Sequence, residues 1–402
     1  MLQASLFRIS PLALLLVLAA CDTGEGTSLY DPNRATSSDP TIAAIAPNGL
    51  VLAGIDEVTI TGSNFSATPD ENLVFFGSAQ AQVLSASPTE LRVKAPNTPR
   101  ENLPVRVAVR NAPNYSNTVP YSLTAAVTPF GDLSQSETAF GIAAGADGTL
   151  YVAIDSDGTR EIATFAPDGT RGATPYFSTR FDFTTLALDP DGTLFATRGV
   201  FAAFRLPEGG TQETFGVISE GRPSLSALDI DTSGNLYVGG NNGDGTRSIY
   251  RIAPDESITA YPLDGNVRAL AWFDGALFAA TTVAGVSQVL RLPADASGDL
   301  GTPTVYADAA ALGGAVATAL AFAASGDLYV GTSEQVDPVI VVRPDGTAAT
   351  LYPGVLTGPV ARLAYGPDSA LYMRTDVILN AENAVIQPSR LVRIETRQNG
   401  AS

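Results

Sequence analysis

The sequence predicts an all-β chain in two parts, a small β-sandwich followed by a six-bladed β-propeller. Three observations carry that prediction. From residue 40 to about 125, short runs of alternating apolar residues are separated by turn residues. From residue 142 onward one phrase recurs six times, with its leucine at Leu150, Leu194, Leu236, Leu277, Leu328 and Leu371. The five intervals between those leucines span 221 residues, about 44 each, the length of a four-stranded propeller blade.

Composition narrows the function. The 402 residues are 45% hydrophobic and only 16% charged, which suits a packed β-rich body rather than a disordered acidic chain. Acidic residues outnumber basic ones 41 to 23, for a net charge of -18. That balance argues against nucleic acid as a partner and against an anionic lipid surface, since binding phosphates needs clustered Lys and Arg. Lys94 is the single lysine, a pattern that suits a high-salt habitat or GC-rich coding equally. The chain has no histidine, so it lacks the commonest general base, the Ser–His and Cys–His nucleophile pairs and the commonest transition-metal ligand. Its one cysteine, Cys21, leaves no internal disulfide and no thiolate metal cluster.

Residues 1–20 carry one basic side chain, Arg8, ahead of the apolar run from Pro11 to Ala20. The run is too short to span a bilayer and reads as a secretory signal peptide. Its end, Leu18-Ala19-Ala20-Cys21, resembles the lipobox of bacterial lipoproteins. That resemblance implies cleavage before Cys21, diacylglycerol and acyl modification of Cys21, and an extracytoplasmic membrane anchor at the periplasmic face or the cell surface. An ordinary secreted protein cleaved at an Ala-x-Ala-like site is the alternative. Residues 21–39, rich in Gly, Ser, Thr and Asp, read as a flexible tether reaching roughly 20–25 Å. Asp22 and Glu25 are candidates for a sorting signal.

Between residues 40 and 125 the strands expected are the runs at 41–45, 57–65, 72–77, 81–85, 90–96, 103–111 and 120–125, enough for a two-sheet sandwich. The order Pro40-Thr-Ile, Pro47-Asn-Gly49, Val58-Thr-Ile-Thr-Gly62, Asn64-Phe65, Phe76-Gly77 and Ala95-Pro96 resembles the IPT/TIG immunoglobulin-like domain. The resemblance implies a spacer or an adhesion module.

In each later phrase an inner strand meets a tight turn, Asp147-Gly148 being the first, and continues into a Leu-Tyr/Phe strand. The sixth turn, Asp368-Ser369, departs from that pattern. A third strand ends at or near Pro167, Pro207, Pro254, Pro293 and Pro344, because proline cannot continue the ladder. The sixth copy stops at its third strand, Leu391–Ile394. Residues 125–131 resemble the outer strand expected at 173–177, so they are expected to close the ring from the N-terminal side. The phrase is similar to the NHL and gluconolactonase-like six-bladed propellers over residues 126–398.

Enzymatic gluconolactonase-like propellers hold a divalent metal in the channel with a glutamate on the first inner strand plus Asn and Asp side chains. By register the glutamate position is Ala139, with Phe183, Leu225, Val267, Ala317 and Val360 in the other blades. The next two columns read Phe140, Thr184, Ser226, Arg268, Thr318, Ala361 and Gly141, Thr185, Ala227, Ala269, Ala319, Arg362. None of the eighteen is a carboxylate or an amide, so that metal site is expected to be missing, and no catalytic residue, metal ligand or cofactor is assigned. Arg268 and Arg362 are candidate ligand-binding residues that could clamp a carboxylate or phosphate, or else pair with rim acids such as Glu137, Asp182 or Asp264. Asp155-Ser-Asp157 and the stretch Asn241 to Asp244 could bind calcium or simply form turns.

These features fit best with a lipid-anchored cell-envelope binding or interaction scaffold, its partner an unknown protein or glycan. Two alternatives stay open: a metal-dependent propeller hydrolase or lyase, and adhesion through the IPT/TIG-like module.

Overall fold

The computed structural model describes residues 37–241, 249–379 and 385–401. The signal peptide expected at 1–20, Cys21, the expected tether up to residue 36 and the stretch 242–244 lie outside the described residues. Contacts divide the chain into two compact units. One holds Glu57–Pro96 and Glu101–Ser122 with the described residues up to Leu50; the other holds Val51–Asp56, Asn97–Arg100 and the described residues from Leu123 on.

All seven strands expected before residue 125 are present: Thr41–Ala46, Glu57–Ser63, Asn72–Phe76, Ala79–Ser87, Glu90–Lys94, Arg100–Val109 and Val119–Leu123. Side chains on a strand alternate between faces. Val58 therefore faces Val93 and Ile60 faces Leu91 across one pair of strands, all four wholly buried, while Thr59 and Arg92 between them are turned outward. In sequence numbering the strands lie side by side in the order first, second, fifth, fourth, third, sixth, seventh. The long strand Ala79–Ser87 makes this possible by pairing with Asn72–Phe76 through its first residues and with Glu90–Lys94 through the rest. The two layers of the sandwich thus share a strand rather than forming separate sheets.

The second unit is a ring of six four-stranded antiparallel sheets. The inner strands are Glu137–Ala144, Thr185–Leu188, Ser224–Ile230, Asn266–Phe273, Ala317–Phe322 and Val360–Tyr365, one per blade. Each phrase leucine lies on the second strand of its blade, and all six are wholly buried. Burying a leucine contributes about 2 kcal/mol, which explains why this position tolerates so little change from blade to blade. Cores form between neighbouring blades: Ile162 and Phe177 of blade one pack with Phe183, Leu194 and Phe204 of blade two.

The turns divide into two kinds. In blades one, two, three and five only the glycine is left-handed, with Gly148, Gly192, Gly234 and Gly326 at φ between 81 and 89°. Blade four uses a two-residue hairpin, Asp274 and Gly275 both at positive φ, so that Phe273 pairs directly with Ala276. In blade six both Asp368 (φ 57°) and Ser369 (φ 63°) are left-handed without a glycine.

The ring closes as expected. Val127–Pro129 pairs with the last strand, Arg390–Glu395, matching Val392 to Pro129 and Ile394 to Val127. The outer strand of blade one differs from expectation, since it is Phe177–Thr179 rather than 173–177. Pro175 has no N–H to give the ladder; the chain touches the third strand at Arg171 and Gly172, leaves it, and resumes where Tyr176 N–H reaches the Ile162 carbonyl.

Candidate functional site

The channel wall is set by a repeated irregularity. In five blades the inner strand carries a bulge at one register, opposite the end of the second strand: between Ala139 and Ile142, Leu225 and Ala227, Val267 and Ala269, Ala317 and Ala319, and Val360 and Arg362. A bulge leaves its extra residue out of the ladder and turns it. The residues so turned are the column Phe140, Ser226, Arg268, Thr318 and Ala361, with Thr184 at the same place in blade two.

Two of their hydroxyls lace adjacent blades: Ser226 Oγ donates to the Val267 carbonyl (3.3 Å) and Thr318 Oγ1 to the Val360 carbonyl (2.6 Å). The preceding column is arranged differently from what the comparison with metal-binding propellers implied. Ala139, Phe183, Leu225, Val267, Ala317 and Val360 are all buried in the cores between blades, so a glutamate there would lie in apolar packing.

Arg362 spans the channel. From blade six its Nε donates to the Thr184 carbonyl of blade two (3.0 Å), Nη2 to the Ser226 carbonyl of blade three (3.2 Å) and Nη1 to its own neighbour Ala361 (2.6 Å). All three acceptors belong to the bulged column. The carbonyls that a hard cation could have used therefore already receive a guanidinium.

Directly across the hairpin from Arg362 stands Arg374, on the second strand. It is 7% exposed; its Nη1 donates to the Ala139 carbonyl of blade one (2.9 Å), and its Nε is sealed from solvent without an acceptor. Burial, and for Arg362 also the charge of Arg374, pushes both guanidiniums down to about 10 against an upward pull from Asp376. Both remain cationic at neutral pH. Asp376, 3.6 Å from Arg374 Nη1, is mostly exposed.

Arg268 does not join this pair. It is exposed, and its Nε donates to Thr282 Oγ1 of its own blade (3.1 Å). The rim acids are engaged elsewhere: Glu137 bonds Arg171 (2.7 Å) and Asp182 bonds Arg160 (2.5 Å). Burial raises Glu137, and the bonds from Arg171 and Ser134 more than offset this and hold it below the usual carboxylate range. Asp155 accepts from Gly158 N–H (2.7 Å) and pairs with Arg160 (3.0 Å), closing the turn that contains Asp157. Among the described residues no group of three or more acids or cysteines is arranged to hold a metal.

Sequence reasoning missed Arg374, although a signal was present. Counting the phrase leucine as first, the fourth residue is Ala153, Thr197, Gly239, Ala280 and Gly331 in five blades and Arg374 in the sixth. A long cation in a column of small residues marks the place.

Residues 40–125 match the family model of the IPT/TIG domain. The sandwich is an IPT/TIG domain. No curated protein matches the chain. Among solved structures, the chain is similar to an auxiliary nutrient binding protein from Bacteroides thetaiotaomicron, with 11% identity and a TM-score of 0.52 over 91% of this chain and 99% of that one. It is also similar to a putative gluconolactonase, with 19% identity and a TM-score of 0.51 over 69% and 93%. A third is regucalcin, a calcium-binding protein from Agrobacterium tumefaciens, with 18% identity and a TM-score of 0.52 over 68% and 93%. At these identities the likeness is one of fold. The IPT/TIG domain is followed by a six-bladed propeller of gluconolactonase-like shape.

Proposed function

We propose that the chain is a lipid-anchored binding scaffold of the cell envelope, with the IPT/TIG domain as spacer and the propeller as the binding platform. One observation carries the reading: the innermost column presents arginine, hydroxyls and apolar groups where metal-dependent catalysis needs carboxylates. The likeness in fold to an auxiliary nutrient binding protein, which extends over nearly all of both chains, supports binding over turnover. The acidic balance of the chain supports a protein or glycan partner rather than a nucleic acid. The lipobox-like Leu18–Cys21 supports the anchor.

Two measurements test this. Expressed in a bacterial host, the full chain should incorporate radiolabelled palmitate and sediment with membranes, and Cys21→Ser should do neither. The purified chain should bind one or more members of a panel of neutral and acidic sugars without hydrolysing lactones in calcium, magnesium, manganese or zinc. Lactone turnover abolished by EDTA would replace the scaffold with the hydrolase.

A further inference from the structure

The strongest unexplained feature is a pair of like charges. Arg362 and Arg374 face each other across one hairpin, a placement that destabilises a sheet unless something answers the charge. Buried charge without a partner is costly. Across the described residues only Asp376 answers their charge: it forms an ion pair with Arg374 Nη1 (3.6 Å) but is more than half exposed, so its charge is shared with solvent. Arg362 commits three donors to carbonyls and Arg374 one besides its ion pair with Asp376, so that among the described residues some of their N–H groups have no acceptor. Arg374 Nε is one of these, buried and unpartnered.

We propose that the channel binds the carboxylate of a small organic monoacid, taken between the guanidiniums of Arg362 and Arg374. This rests on the binding-scaffold reading and names the ligand class for it. Among the described residues two cations stand against one acid, which leaves the site one positive charge that a monoanion neutralises. A doubly charged phosphate would overshoot, in a protein whose net charge is already -18. The planar fork of arginine matches the two oxygens of a carboxylate. The way in is the channel itself: Phe140, Thr184, Ser226, Thr318 and Arg362 all keep part of their surface open. The hydroxyls of Ser226 and Thr318 are already given to carbonyls, so they offer the body of the ligand acceptor oxygens rather than donors.

The test is calorimetry and thermal unfolding of the full chain with acetate, glucuronate, inorganic phosphate and glucose as probes. Saturable one-to-one stabilisation by the two carboxylates, with none from glucose, is expected. Arg374→Gln should weaken carboxylate binding at least about tenfold, and Asp376→Asn should tighten it severalfold by removing the competing acid. A purely structural pair predicts no change from Asp376→Asn, and because that side chain is exposed this arm stands even if Arg374→Gln fails to fold. The proposal falls if neither carboxylate stabilises the chain at about 50 mM, if phosphate is preferred, or if both variants bind like the parent. A chain that ignores every acid yet binds a neutral sugar would sink this site and leave the scaffold reading intact.

Discussion

Arg362 and Arg374 look alike in sequence and do different work. Arg362 ties three blades through their carbonyls, whereas Arg374 holds one carbonyl and leaves a donor idle. Arg362→Met should therefore lower stability by roughly 1–3 kcal/mol, net of the relief from removing a buried charge, and Arg374→Met should be near neutral or stabilising. A double-mutant cycle by urea unfolding should return a repulsive coupling of about 0.5–1 kcal/mol between them. Asp229, in the inner strand of blade three, accepts from Trp272 N–H of blade four (2.5 Å) and from Ile230 N–H (2.9 Å). Burial outweighs those two bonds and pushes its carboxyl up to about 6, with Asp231 adding to the rise. The native state therefore holds this proton more firmly than the unfolded chain does. Its contribution to stability is present below pH 4 and is lost as pH rises through about 6, a change of roughly 3 kcal/mol. Urea midpoints between pH 4 and 7 should show the decline, and Asp229→Asn should flatten it.

The elements explain which parts of the chain could be read in advance. Six phrases announced six blades because a buried leucine recurs in all six and a left-handed glycine in five, where a hairpin must turn and pack. The bulges gave no such signal: a bulge inserts one residue without requiring a particular side chain, so the column that lines the channel was identified while the one before it was mistaken for a channel position. Arg374 was overlooked for the opposite reason, its strand reading as an ordinary continuation of the Leu371-Tyr-Met run. The small residues around it reflect close approach. A Cβ on Gly240 would lie 1.9 Å from the Ser224 carbonyl oxygen, and one on Gly331 would lie 2.4 Å from Val360 of blade six. Gly240→Ala should cost about 3 kcal/mol of stability, measurable as a lower urea midpoint. The sixth turn offers a change in the other direction. Ser369 is left-handed without being glycine, while its carbonyl already accepts from Thr396 N–H (3.0 Å) and would still do so after substitution. Ser369→Gly should raise the melting temperature, by about 1 kcal/mol in stability.

At the scale of the whole chain, the ring has a single seam, where Val127–Pro129 lies against Arg390–Glu395. Deleting residues 127–129 should expose the backbone edge of the last blade and make the protein self-associate with concentration, a change that analytical ultracentrifugation would register. The seam also sets an order in time. Its two sides are separated by roughly 260 residues, so the contact that makes the circle is among the most remote in the chain and carries a late entropic toll. During synthesis from the N-terminus, residues 127–129 emerge before every blade yet have nothing to join until the strand Arg390–Glu395 arrives. A chain halted short of Leu391 would hold five whole blades and two raw edges, so closure of the ring waits on the strand Arg390–Glu395.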